Sequence, residues 1–103
     1  MKDKISMPLI EAMLQYKSED VYPLHTPGHK GGRGMQRLLR QELGASVQMD
    51  VSLMSELDDI HEPETYIKEA QELAAQTYGS DACFWAVNGT SQAIHAMLLI
   101  ALN

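Results

Sequence analysis

The chain has 103 residues and 45% hydrophobic content, enough for one small folded domain with a modest core and too apolar to be disordered. Fourteen acidic residues outnumber eight basic ones, giving a net charge of −6 and no basic run, so neither nucleic acid nor an anionic membrane is expected as a main partner. One cysteine, Cys83, excludes an internal disulfide and fits a reducing compartment.

The N-terminus has no signal-peptide pattern, because Met1-Lys-Asp-Lys-Ile is charged and the apolar patch after it is broken by Pro8 and Glu11. The first predicted element is a short helix with Ser6 as N-cap, Pro8 in its first turn, and Leu9, Ile10, Met13 and Leu14 on one face. Residues 22–34 follow, Tyr-Pro-Leu-His-Thr-Pro-Gly-His-Lys-Gly-Gly-Arg-Gly, whose two prolines and four glycines forbid a regular element. Loops of that composition often carry function. A helix is expected over residues 35–43, ended by Gly44, and then Val47, Met49, Val51 and Leu53 alternate as an extended segment would. Residues 63–78 give the clearest helix, opened by Pro63 and Glu64 and stopped by Gly79. Tyr66, Ile67, Ala70, Leu73, Ala74 and Tyr78 make its apolar stripe. A buried strand over residues 83–87 and a helix over 90–102 complete the series.

That order of helix, strand, glycine turn and helix predicts an α/β architecture, mostly helical with few strands, in which a lone strand lacks its sheet partners. Residues 93–102 leave no polar face, as in a helix buried inside a larger protein. They are too short to cross a bilayer and carry His95. Two explanations stand: the chain begins a longer α/β enzyme, or it buries this helix by associating with itself or with a partner. A soluble cytoplasmic protein is the expectation.

The junction between the last two elements is the most informative stretch. In Asn88-Gly89-Thr90-Ser91 the Asn-Gly pair allows a positive-φ turn, and Thr90 and Ser91 place hydroxyls and free N–H groups at a helix start, where a phosphate can be held. The plainer alternative is a turn with a helix cap. The Asn-x-Thr pattern also matches a glycosylation acceptor, which without a secretory signal is a chance match.

Taken together, His25-Thr-Pro-Gly-His-Lys-Gly-Gly32, Asp50-Val-Ser, Ser55-Glu-Leu-Asp-Asp59, the helix reaching Tyr78-Gly79, and Val87-Asn-Gly-Thr-Ser91 resemble the start of the bacterial ornithine/lysine/arginine decarboxylases. The resemblance runs from about residue 5 to the last residue and covers only the first part of a family member. It implies a pyridoxal 5'-phosphate enzyme of the aspartate-aminotransferase-like fold that removes the α-carboxylate of a basic amino acid in polyamine formation. On that basis residues 1–45 form an N-terminal helical and loop segment, and residues 46–103 begin a truncated cofactor-binding large domain. Gly89, Thr90 and Ser91 would grip the cofactor phosphate. The family's Schiff-base lysine lies downstream, and none of Lys2, Lys4, Lys17, Lys30 or Lys68 takes its place. No catalytic residue is therefore assigned, and the chain alone is expected to be inactive. Lys30 is read as a solvated loop lysine.

The remaining candidates are weaker. His29 is placed near the cofactor or a subunit contact, and His95 is a packing residue. Glu56 and Asp59 could meet a cationic substrate, although a solvated acidic loop before a helix, where acids meet the N-terminal dipole, is the favoured explanation. His25, His29, His61, His95 and Cys83 have poor spacing for a metal, so none is expected. The expected partners are a basic amino acid in the complete enzyme, and either a second copy of the chain or the remainder of a decarboxylase. A non-catalytic phosphate-binding or oligomerisation module, or a truncation product without function, are the other readings.

Overall fold

The computed structural model describes residues 6–52 and 54–102. Two compact units divide the chain, Met1–Ala70 and Gln71–Asn103.

In the first unit, α1 (Pro8–Ser18) starts with proline in its first turn, where the missing N–H costs nothing. The expected cap is displaced by one residue: Met7, not Ser6, is the N-cap, and it makes no side-chain cap bond. The buried stripe is also rotated from the expected one. Pro8 and Ala12 are buried and Leu9 and Met13 half-buried, whereas Ile10 and Leu14 face outward, because the small residues sit where the chain packs closest. The loop that follows is irregular, as its composition predicts, and contains a cis Thr26-Pro27 bond. It closes on itself through the His29 carbonyl, which accepts the N–H groups of Gly32 at 2.9 Å and Gly34 at 3.0 Å. Gly32 is required there: it is buried with φ +90, and a Cβ would meet the Arg40 stem at 3.4 Å.

Helix α2 (Arg37–Leu43) begins two residues later than expected and stops at Gly44, whose φ is +59. The chain then winds into a 3-10 helix, Gly44–Met49, where alternation of apolar residues predicts an extended segment. Ser46 Oγ donates to the Leu43 carbonyl at 2.5 Å, and the tight turn buries Val47 where α1 and α2 each pack against this helix. Alternation over so few residues fits a strand and a tight helix alike, and among the described residues no neighbouring strand offers a ladder. Leu53 lies outside the described residues.

Among the described residues of this unit, Ala12, Val47, Leu57 and Ile67 are buried together with Pro8. Val47, Leu57 and Ile67 contribute about 1.5–3 kcal/mol each at most and Ala12 less, fewer such groups than a domain of ordinary stability contains.

Helix α3 (Tyr66–Tyr78) starts three residues after Pro63, so Pro63 and Glu64 lie in the approach to it and not in its first turn. Ile67 is buried and Ala70 half-buried.

In the second unit α3 continues with Ala75 buried and Leu73 and Ala74 half-buried, but Tyr78 is 85% exposed and leaves the expected stripe. Gly79 ends the helix as expected. Its N–H bonds the Gln76 carbonyl at 3.3 Å and the Ser80 N–H reaches back to Ala75 at 3.0 Å, the paired closure that a left-handed glycine permits.

Residues 83–87 are not a strand, and they are not buried: Phe84 is 84% and Val87 62% exposed. The described residues contain no strand, only one isolated bridge between Met54 and Asp58. An apolar β-prone segment without a partner has no ladder to join, so the expected strand does not form, while the expected mostly helical character holds within these residues. Helix α4 (Gly89–Ala101) begins one residue before the expected Thr90; none of its residues is buried and only Ala93 is half-buried.

Candidate functional site

Gly89, Thr90 and Ser91 form the first turn of α4. Gly89 has φ +85, the left-handed conformation that the Asn-Gly pair predicts, and a Cβ there would meet nothing within 4 Å, so backbone conformation and not space selects glycine. Asn88 is the N-cap but makes no side-chain cap bond. The N–H groups of the first turn are thus left for another acceptor, at the positive end of a helix of 13 residues. Thr90 and Ser91 are exposed beside them. A phosphate is a chemically matched acceptor for such a turn, so these residues fit the phosphate of the implied cofactor.

In the first unit, His29 is joined to neither Glu56 nor Asp59. Its Nε2 lies 3.0 Å from Asp50 Oδ2, a partner 21 positions away that no sequence periodicity indicates. A carboxylate only accepts, so Nε2 carries the proton, and Nδ1 is left buried without a hydrogen-bond partner. Lys30 is not a freely solvated lysine. It is half-buried, and its Nζ donates to the His25 carbonyl. His25 in turn has Nδ1 against the Thr26 carbonyl, which leaves Nε2 to accept the Tyr16 hydroxyl at 2.9 Å.

The acidic stretch divides into different environments. Glu56 is exposed and accepts the Ser55 hydroxyl at 3.0 Å; Asp59 is exposed and accepts the His61 N–H at 2.8 Å. The acid between them in the chain, Asp58, is the one that sequence reasoning passed over. It is buried, and its two oxygens accept the N–H groups of Asp59, Glu64, Thr65 and Ile67 at 2.9–3.0 Å. Burial by itself would raise its pKa, but the donated bonds from Glu64, Thr65, Asp59 and Ile67 outweigh it and hold the carboxyl at about 2. The signal available in sequence was an aspartate shortly before a helix.

Among the described residues no group of three or more His, Cys, Asp and Glu could hold a metal. Among them, too, no helix is long and apolar enough to cross a membrane.

Residues 7–103 match the family description of the Orn/Lys/Arg decarboxylase major domain. An arginine decarboxylase of Bacillus cereus is 39% identical over 93 residues, which are 89% of this chain and 20% of that protein. The arginine decarboxylase of Bacillus subtilis is 40% identical over 93 residues, 89% of this chain and 19% of the relative. Across a wider distance, the inducible lysine decarboxylase of Escherichia coli is 32% identical over 93 residues, covering 84% of this chain and 13% of its own length. No solved structure matches. The chain belongs to the Orn/Lys/Arg decarboxylase family, and it spans about a fifth of the arginine decarboxylases it matches.

Proposed function

We propose that this chain is the beginning of the cofactor-binding domain of a pyridoxal-phosphate-dependent decarboxylase acting on arginine, lysine or ornithine in polyamine formation. The observation that carries the proposal is the uncapped first turn of α4 with Gly89 at φ +85, within a segment matched to the decarboxylase major domain. The aspartate-aminotransferase-like fold is the architecture this reading implies for the complete enzyme.

The cofactor, when bound, supplies an electron sink for loss of the α-carboxylate. The residues of this chain bind and orient it. Gly89 turns the backbone so that the first N–H groups of α4 present together, and the Thr90 and Ser91 hydroxyls add two further donors to a dianion. His29, whose Nε2 is engaged by Asp50 while its buried Nδ1 has no hydrogen-bond partner, is read as lying near the substrate or a subunit contact; Glu56 and Asp59 are the carboxylates this reading offers to a cationic substrate side chain.

The test is cofactor affinity in a longer chain that joins these residues to the remainder of a Bacillus arginine decarboxylase. Replacing both Thr90 and Ser91 with alanine removes two charge-assisted donors of about 1.5–3 kcal/mol each, so affinity falls at least about tenfold. An unchanged affinity returns residues 88–91 to an ordinary turn and cap.

A second reading, a non-catalytic oligomerisation module, draws on α4, where Ile94, Leu98 and Ile100 are 45%, 52% and 79% exposed. It differs from the first in what covers the helix: a second copy of the chain, not the remainder of a decarboxylase.

A further inference from the structure

A cleft of about 470 Å3 opens among the end of α1, the loop after it and the 3-10 helix, all within the unit Met1–Ala70. Its lining is electrostatically unlike the chain as a whole. Four of the eight Lys and Arg residues line it, Lys17, Lys30, Arg33 and Arg40, against two of the fourteen acids, Asp20 and Asp50. A protein of net charge −6 therefore carries a cleft with two surplus positive charges.

The pairing pattern shows which cations are committed. Arg33 is held by Asp20 at 2.9 Å and lies over the Tyr22 ring at 5.1 Å. Asp50 is engaged by His29, and Lys30 donates to the neutral His25 carbonyl, which leaves its charge uncancelled. The side-chain charges of Lys17 and Arg40 have no ion-pair or hydrogen-bond partner among the described residues. Arg40 is nonetheless seated, because its stem runs against Gly32.

We propose that this cleft binds a small phosphorylated molecule, with Lys17, Lys30 and Arg40 on the phosphate and Tyr16, Val21 and Pro23 against the organic part. The surplus of two positive charges matches a phosphate monoester, which carries about −1.5 to −2 at neutral pH. The guanidinium of Arg40 offers forked donors to its oxygens and the lysines act as point charges. The cleft lies within the roughly 300–1,000 Å3 that small-molecule sites occupy. This site uses residues 16–51, whereas the turn assigned to the cofactor phosphate is residues 88–91, so the two assignments stand or fall separately.

The experiment is calorimetric titration of the 103-residue chain carrying T90A and S91A, which removes the other phosphate-binding hydroxyls, with pyrophosphate as the probe. Saturable one-site binding is expected, weakening steeply with added salt. K17Q and R40Q should each weaken it by about tenfold, the loss expected for one charge-assisted contact. Malonate at the same ionic strength should bind at least several-fold more weakly. Three results each overturn the proposal: no saturable binding, an affinity insensitive to salt and to both substitutions, or malonate binding as tightly as pyrophosphate. The salt series on the unsubstituted cleft reads the same electrostatic contact without depending on how either variant folds.

Discussion

Asp58 Oδ2 accepts the backbone N–H of Ile67 at 2.9 Å, so a carboxylate nine positions upstream closes the first turn of α3. The same side chain takes the N–H groups of Glu64 and Thr65 at 3.0 Å, and it does so from a left-handed residue, φ +81, held in the turn that begins at Met54. Helix N-termini leave four such donors without intrahelical partners, and here one buried anion satisfies much of that demand. The acidic stretch thereby links a loop to a helix before any question of substrate arises.

Replacing Asp58 with alanine should accordingly be among the most damaging single changes in the first unit. Several N–H groups lose their acceptor at a buried position, and the expected loss is about 1–3 kcal/mol of stability. Asparagine recovers part of it, because one oxygen can still accept while the amide group cannot. Denaturant unfolding followed by far-UV circular dichroism measures both; an alanine variant as stable as the parent contradicts the capping role.

The pH dependence follows with a definite sign. Folding lowers the Asp58 pKa from the ordinary 3.8 to about 2, so the folded state binds a proton less readily than the unfolded state. Its contribution is fully present above about pH 4, and it disappears as pH falls through about 2. Stability measured from pH 5 to pH 2 should decline more steeply in the parent than in D58N. Parallel curves would show that Asp58 is not the group responsible.

How much was legible beforehand depended on the range of the interaction. The helices α1 and α3 follow from local periodicity with Pro8 and Gly79, and α4 from the Asn88-Gly89 pair and the unbroken apolar run after it, all signals that act within a turn of their own position. The 3-10 helix was hidden because Val47, Met49 and Val51 fit a strand equally well on alternation, and only packing against α1 and α2 decides. Residues 83–87 have a strand's composition, but a strand is a relation between two segments, and no second one stands among the described residues. The His29–Asp50 contact joins positions 21 apart through a loop with no period, so the sequence marks each residue and not the pair.

Gly89 offers a conformational test of the phosphate turn. Its φ of +85 is strained for any residue with a Cβ, although open space surrounds the position. Alanine there should cost about 1–2 kcal/mol or shift the start of α4 by a residue. In the longer decarboxylase chain, cofactor affinity should fall with little loss of helix content. Normal affinity in G89A means that the left-handed turn is not what presents the N–H groups.

Incubated with pyridoxal phosphate and arginine, lysine or ornithine, the 103-residue chain should release no carbon dioxide above the free cofactor. The expectation rests on the family resemblance, by which none of its five lysines takes the place of the lysine that would bond the cofactor. Lys30 already donates to the His25 carbonyl. Turnover abolished by substituting any one lysine would defeat this expectation.

Association should be governed by α4. Ile94, Leu98 and Met97 are 45%, 52% and 63% exposed on a helix none of whose residues is buried, and its C-cap Leu102 is 82% exposed. Covering such side chains is worth about 1.5–3 kcal/mol each, a large gain beside the small core of the first unit. Light scattering on the purified chain should therefore show oligomers or aggregates, and a variant carrying Ile94→Lys with Leu98→Glu should shift toward monomer. That substitution adds no net charge, so a shift reports lost apolar burial and not general repulsion. A parent chain that is monomeric and unfolds cooperatively at high concentration would show that α4 needs no cover, and it would count against both a docking role for the helix and the reading of this chain as the opening part of a larger domain.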